Sequence, residues 1–281
     1  MLKSHQMNYD LHCHSTASDG LLSPVALVER ARAQGVQVLA LTDHDEVAGL
    51  ADARRASEEA GIHFIDGIEI SVSWNGVSIH IVGLGIDPHN AVLSEGLEYV
   101  RESRARRARK IAGALEKSGI PGSYEGALGY AGNTNLVSRT HFARFLVARG
   151  CARDVRQVFQ RYLVAGKPGY VPHEWATLSD AIQWIQASGG DAVVAHPGRY
   201  KITTSQMHQL LAEFRACGGT GIEVVTGSHA PEQYGEYANM ARDFGLKASR
   251  GSDFHGPGES RVDLGLLPGL PEDLTPIWND W

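Results

Sequence analysis

The sequence predicts an α/β fold of the barrel kind, interrupted by one mainly helical insertion, and three observations carry that prediction. Short apolar runs alternate with helical patterns through most of the chain, the order expected when parallel strands are joined by crossover helices. The runs MNYDLH, VQVLALTD, HFIDGIEI, VSIHIVG, DAVVAHP and LKASRGSD nearly all finish in imidazole or carboxylate. In an α/β barrel the strand ends converge on one face, so these polar ends would meet. Between the run ending near Gly85 and the one at Asp191 lie about a hundred residues with little strand character, far more than one crossover needs.

The elements follow in order. After the first strand, SPVALVERARAQG carries a Ser-Pro helix start and a Gly stop. VQVLALT reads as the next strand and a helix follows from about Glu46 to Ala60. Two β-rich runs then flank Asn75-Gly76, a dipeptide suited to a type I′ hairpin turn. With those two as the central turn residues, Trp74 pairs with Val77 and Ser71 with His80, which sets Glu69 diagonally beside His80 on one face. Later come DAVVAHP, a helix near Thr204 to Ala216, GIEVVT, a helix near Pro231 to Phe244, and LKASRGSD. The barrel is therefore assigned residues 1–100 and 166–281, and residues 101–165 form a helical insertion capping the substrate site.

Nine side chains able to bind metal stand in short clusters: His12, His14 and Asp19 in DLHCHSTASDG, His44 in LTDHD, Glu69 and His80 around the hairpin, His196 in VVAHPG, and Asp253 and His255 in GSDFH. His12 and His14, like Asp253 and His255, are spaced i, i+2 and project from the same face of a strand, so Cys13 points away. A lone histidine near a strand end is ordinarily a satisfied core or surface residue. Burying so many unpaired ionisable groups at converging strand ends would cost several kcal/mol, however, and a multinuclear metal site removes that cost.

Composition fits a compact enzyme. With 281 residues, 43% of them hydrophobic, the chain can bury a full barrel core. Nothing approaches the roughly 20 continuous apolar residues of a membrane span. MLKSHQMNYD lacks an apolar signal-type core, and Cys13, Cys151 and Cys217 are far apart, so a reducing cytoplasm is expected. The net charge of −6 argues against general nucleic-acid binding. Small anions remain allowed, because three divalent ions against Asp19, Glu69 and Asp253 would leave the site itself positive. No feature calls for an obligate protein partner.

The insertion contributes two further features. RESRARRARK carries Arg101, Arg104, Arg106, Arg107, Arg109 and Lys110; the run suits a nucleotide or RNA backbone, although a solvated face is the commoner fate of such a helix. In SRTHFARFLVARG an apolar stripe of Phe142, Phe145, Leu146 and Val147 is preceded by Arg139 and His141 near a helix start, where anions are favoured. Arg199, in the loop after His196, offers a planar fork for phosphate. Arg139, His141 and Arg199 are thus the candidate substrate contacts, with Lys167, His173 and His229 at the rim. His5, His63, His89 and His208 are expected on the surface.

Taken together, DLHCHS with SDG, LTDHD, GIEIS, HIVGLG, AHPGR and GSDFHG resemble the polymerase and histidinol phosphatase (PHP) family of the amidohydrolase-like superfamily, from about Asp10 to Gly256. SRTHFARFLVARG and the layout of the chain resemble more narrowly the bacterial phosphoesterases linked to tryptophan operons, which act on nucleoside 3′,5′-bisphosphates and on 5′ ends of short RNA. The resemblance implies a distorted (β/α)7-type barrel. It implies three divalent ions: one on His12, His14, Glu69 and Asp253, one on Glu69, His80 and His196, and one on Asp19, His44 and His255, with manganese the ion in use. Carboxylate and imidazole donors alone fit Mn²⁺, Fe²⁺ or Zn²⁺ equally. Glu69, His196, Asp253 and His255 are the expected catalytic residues. The implied reaction is release of the 3′-phosphate of a nucleoside 3′,5′-bisphosphate, or cleavage of short 5′-phosphorylated RNA, by a metal-bridging hydroxide. Histidinol phosphate hydrolysis and C–N bond hydrolysis are the alternatives. The first calls for a pocket for a small amine where this chain presents arginines, and the second for a carbamylated lysine that is not evident.

Overall fold

The computed structural model describes residues 7–281, so His5 lies outside the described residues. Seven strands form one sheet in chain order: β1 (Tyr9–Asp10), β2 (Val38–Leu41), β3 (His63–Trp74), β4 (Val77–Leu84), β5 (Asp191–Val194), β6 (Gly221–Thr226) and β7 (Lys247–Gly251). Neighbours pair in parallel except that β4 runs antiparallel to both β3 and β5. The sheet curls into a nearly closed barrel: the Leu11 N–H donates to the Arg250 carbonyl at 3.1 Å, and the Asp253 N–H to that of His12 at 2.8 Å. Gly251 sits at this seam, where a Cβ would come within 2.3 Å of the His12 Cβ. The single antiparallel strand is the distortion of the (β/α)7 plan, and it follows from the Asn75-Gly76 hairpin.

That hairpin has the register its sequence predicts. Ser71 opposes His80 and Trp74 opposes Val77, with Asn75 and Gly76 both at positive φ (46° and 75°), as a type I′ turn requires. The period of two then sorts the side chains. Leu39, Leu41, Ile68, Ile70, Ile79, Ile81 and Val194 pack outward beneath the helices, while Val38, Ala40, Val82, Leu84 and Val193 pack together on the opposite face with Tyr9, Leu11 and Ile277. Glu69 and His80 continue the inward series, so the barrel interior turns from apolar to polar toward one end.

Helices α1 (Pro24–Ala33) and α2 (Leu50–Ala60) cover the first strands. Ser23 caps α1 through its side chain, and Gly35 at φ 76° ends it. α2 begins four residues later than the sequence suggested, because the Glu46 carboxylate accepts the N–H groups of Val47 and Ala48 and holds that stretch in a turn. α3 (Ala91–Lys117) is one continuous helix of 27 residues. Its N-terminal half packs against α7 (Leu178–Ala187): at Gly96 a Cβ would strike the Trp184 ring at 2.3 Å. Its C-terminal half contributes Ala108, Ile111, Ala112 and Leu115 to a separate apolar cluster. α4 (Ser123–Leu128), α5 (Arg139–Ala148), α6 (Val155–Val158) and a π-helical turn (Phe159–Leu163) complete that cluster. α8 (Thr204–Ala216) and α9 (Pro231–Asp243) finish the outer layer.

Among the described residues no helix is long and apolar enough to cross a membrane.

Candidate metal centre and the cavity beside it

All nine candidate ligands meet at the polar end of the barrel. Glu69, fully buried on β3, is their hub: its Oε1 lies 2.8 Å from His80 Nδ1 and 2.9 Å from His196 Nε2. Its Oε2 lies 2.8 Å from His44 Nδ1 and 3.4 Å from both His12 Nε2 and His14 Nε2. Asp253 Oδ1 stands 3.3 Å from His14, 3.6 Å from His12 and 3.5 Å from His255 Nδ1. Asp19 Oδ1 stands 3.5 Å from His255 Nε2 and 3.9 Å from His44 Nε2. Four overlapping groups have ligand atoms close enough to share an ion: His14, Asp19, His44 and His255; His12, His14 and Asp253; His12, Glu69 and His196; and His44, Glu69 and His80. They cut across the three sets implied by resemblance, since His14, His12 and His44 each belong to two groups.

Divalent cations fit this donor set. Asp19 Oδ1, Asp253 Oδ1, His14 Nδ1 and His196 Nδ1 are buried without a hydrogen-bond partner among the described residues, which is costly unless something cationic or protonated faces them. Burial, then His255, push His14 down to about 3, and burial, then Arg199, do the same to His196, so these two imidazoles are neutral donors. At His12 and His44, by contrast, burial is outweighed by the carboxylates beside them, Glu223 and Glu69 first, and both are raised. Burial opposes charge on Asp19, Glu69 and Asp253, but the surrounding histidines hold all three well below the usual carboxylate range. Neutral imidazole and ionised carboxylate are the forms that bind metal.

The backbone is bent to aim these groups. His196 and Asp253 adopt positive φ of 25° and 54°, uncommon for residues with a Cβ and characteristic of sites held by their surroundings. Glu223 on β6 supplies much of that hold. Its Oε1 accepts from His12 Nδ1 at 2.8 Å and its Oε2 from the His196 N–H at 2.5 Å. Such a carboxylate behind a ligating histidine fixes the ring and its tautomer. Asp43 does the same for the first loop, accepting from the Ser15 N–H, Ser15 Oγ and Ser18 Oγ at 2.7, 2.6 and 2.5 Å; burial raises it to about 6. Sequence reasoning missed both. GIEVVT gives an inward position on a strand, which was the available signal for Glu223.

A cavity opens beside the cluster, walled by Asp19, His44, His80 and His255 from the barrel and by Arg104, Arg107, Ile111, Arg139 and Phe159 from the helical segment, with Trp175 and Arg199. The basic run divides by helix face. Arg104 and Arg107 are buried, whereas Arg106, Arg109 and Lys110 are exposed. Arg104 donates to Asp45 Oδ2 at 2.5 Å and Ser71 Oγ at 2.6 Å, and its guanidinium lies 4.8 Å from the Trp175 ring centroid. Arg107 and Arg139 form no ion pair among the described residues. Burial, then their arginine neighbours, lower Arg107 to about 9 and Arg139 to about 10. Crowded cations of this kind favour an anion between them.

The other expected contacts divide. Arg199 Nη1 donates to Asp253 Oδ2 at 3.0 Å and its side chain is half exposed at the cavity wall. His141 is buried, does not line the cavity, and accepts the Ser138 N–H on Nδ1 at 3.0 Å, so it closes the N-terminus of α5. Ser138 in turn donates to Asp19 Oδ2 at 3.0 Å, and Arg144 donates to the Asp19 carbonyl at 2.7 Å and to both Glu259 oxygens. The helical segment is thereby bonded to a candidate ligand. His173 Nε2 lies 2.9 Å from Ser103 Oγ, Lys167 is exposed, and buried His229 accepts the Gly198 N–H at 3.0 Å, steadying the turn between His196 and Arg199. His63, His89 and His208 are exposed, as expected.

The model of the PHP domain matches residues 10–187, more than half of the chain. The chain belongs to the PHP domain family. Within it, the chain is 49% identical over 273 residues to the 3′,5′-nucleoside bisphosphate phosphatase of Chromobacterium violaceum, covering 97% of this chain and 96% of that one. It is 45% identical over 275 residues to the 5′-3′ exoribonuclease of Escherichia coli, covering 97% and 93%. Among solved structures, an amidohydrolase from Chromobacterium violaceum with bound sulfate and no metal superposes with a TM-score of 0.94 at 49% identity, covering 96% and 94%. A neighbour from Bifidobacterium adolescentis, assigned by its description, without proof, as a metal-dependent phosphoesterase, gives 0.83 at 29% identity, covering 98% and 94%.

Proposed function

We propose that the chain releases the 3′-phosphate of nucleoside 3′,5′-bisphosphates, converting adenosine 3′,5′-bisphosphate to 5′-AMP and phosphate, and cleaves short 5′-phosphorylated RNA at the equivalent bond. The observation that carries this reading is one cavity lined both by four of the nine candidate ligands, Asp19, His44, His80 and His255, and by Arg107 and Arg139, which form no ion pair among the described residues. A substrate with two phosphates has a use for both ends. The relatives' names, a nucleoside bisphosphate phosphatase and 5′-3′ exoribonucleases, point to the same pair of substrates.

We assign His12, His14, Asp19, His44, Glu69, His80, His196, Asp253 and His255 to three divalent ions, manganese in use. Bound there, the ions supply Lewis acidity toward the phosphoryl oxygens and toward water. In the reaction a water oxygen bonds to phosphorus, the P–O3′ bond breaks, and the 3′ oxygen takes up a proton. Arg199, tied to Asp253, offers its remaining N–H groups to the phosphoryl group being transferred. Arg139 and Arg107 hold the 5′-phosphate as a handle, while Phe159 and Trp175 wall the space left for the nucleoside. The segment 101–165 acts as the substrate cap, and three free cysteines suit a reducing cytoplasm.

A phosphate-release screen on the Mn²⁺-loaded protein tests this, comparing adenosine 3′,5′-bisphosphate, 5′-phosphorylated dinucleotides and histidinol phosphate. The bisphosphate should give the highest kcat/KM. Preference for histidinol phosphate would overturn the assignment.

A further inference from the structure

A second cavity adjoins the first, sharing Thr140, Phe159, Arg199 and His255 with it, and reaches Asp253, which the first does not. It is also lined by Arg156, Ser228, Ser260 and Arg261. Both acidic residues that line it are already engaged: Glu259 takes two hydrogen bonds from Arg144, and Asp253 accepts from Ser228 and Arg199. Arg156 and Arg261 are exposed and form no ion pair among the described residues. The cluster thus has two openings, one enclosed by arginines and aromatic rings and one flanked by two free cations.

We propose that the second cavity is the path taken by RNA on the 3′ side of the scissile bond, with Arg156 and Arg261 contacting its phosphates. The inference rests on the reading that the enzyme cuts the 3′ ester of a 5′-phosphorylated nucleotide. A 3′-phosphomonoester and an internucleotide diester differ in one respect: in the diester, one further phosphoryl oxygen carries the C5′ of the next nucleoside. With the 5′-terminal nucleotide in the first cavity, that substituent needs another way out, and the opening past Asp253 and His255 supplies it. Hydrolysis adds a water oxygen to phosphorus, breaks P–O3′ and gives the proton to O3′. The terminal nucleotide leaves as a 5′-monophosphate. The shortened RNA keeps the phosphate on its new 5′ end, which is the handle required for another round. Single strands followed in this way are held through backbone charge, so the contact should be salt-dependent.

The test compares kcat/KM for adenosine 3′,5′-bisphosphate and for 5′-phosphorylated tetra-adenylate, across a salt series, in the Mn²⁺-loaded wild type, in R156A/R261A and in R156K/R261K. The alanine pair should lose about 10-fold or more on the tetranucleotide and flatten its log–log salt slope by about 0.7 per lost phosphate contact, with the bisphosphate value held. The lysine pair should recover most of the loss. Equal losses on both substrates, or no loss on either, would overturn the path. A wild type that hydrolyses the bisphosphate but not the tetranucleotide would also overturn it while leaving the phosphatase reading intact. A wild type inactive on both would remove that reading first.

Discussion

The barrel side and the helical side of the cavity hold charge in opposite ways. On the barrel, Glu69 is closed in by five imidazoles, Glu223 steadies His12 and His196, and Asp43 holds the loop between His14 and Asp19. On the helical side, Arg107 and Arg139 stand among other arginines and form no ion pair among the described residues. The first region is arranged to retain cations and the second to receive an anion. Chemistry and recognition are thus divided between two parts of the chain, and perturbing each part should give a different kinetic signature.

Removing the metals is the most drastic way to break the comparison. Chelation should abolish phosphate release, and Mn²⁺ should restore it, with close to three ions per chain by elemental analysis. Fully active protein holding one ion or none would contradict the barrel assignment. Next in size is Glu69→Gln. Because this carboxylate faces two of the four ligand groups, its neutral isostere should lower turnover by at least about 100-fold and reduce metal content, with the far-ultraviolet spectrum unchanged. Near-normal turnover and metal load would show that the hub is dispensable.

Glu223→Gln probes the support behind those ligands. Gln keeps the shape but loses the charge that accepts from His12 and the His196 backbone, so kcat should drop about 10- to 100-fold and metal affinity should fall in step. An unchanged affinity would assign Glu223 to structure alone.

The same division decides what the sequence revealed. Barrel ligands were legible because each ends a short apolar run, and because the Asn75-Gly76 turn fixed the register that sets Glu69 beside His80. Glu223 was not, since a single acidic residue inside GIEVVT carries no local sign that two ligands will lean on it. The helical side was harder still. Arg104 and Arg107 are separated by the i, i+3 spacing that also occurs on solvated helices, and only the docking of α3 beside the barrel shows that this face is buried. For His141, the helix-start reading was right about location, while its ring nitrogen is occupied by the Ser138 N–H.

Arg139→Ala tests recognition rather than chemistry. Losing a charge-assisted contact to the 5′-phosphate costs about 1.5–3 kcal/mol, or roughly 10- to 150-fold in kcat/KM. Adenosine 3′-monophosphate lacks that phosphate and should be a much poorer substrate for the wild type, and Arg139→Ala should narrow the gap. An unchanged ratio would move the handle to Arg107 or Arg199.

The smallest effect is expected one residue away from one of the buried arginines. Arg106 and Arg107 are adjacent on α3, but a helix turns about 100° per residue, so one faces solvent and the other the cavity. Among the described residues Arg106 has only an exposed i, i+4 pair with Glu102 at 3.4 Å, and such pairs contribute about 0.3–0.5 kcal/mol. Arg106→Ala should therefore leave kcat/KM for the bisphosphate unchanged and shift stability by no more than about 0.5 kcal/mol. Arg107→Ala should instead raise KM for the bisphosphate while changing kcat little, because its cation binds a part of the substrate that does not react. If the two variants behaved alike, whether both silent or both impaired, the division of this basic run into a solvent face and a substrate face would be wrong.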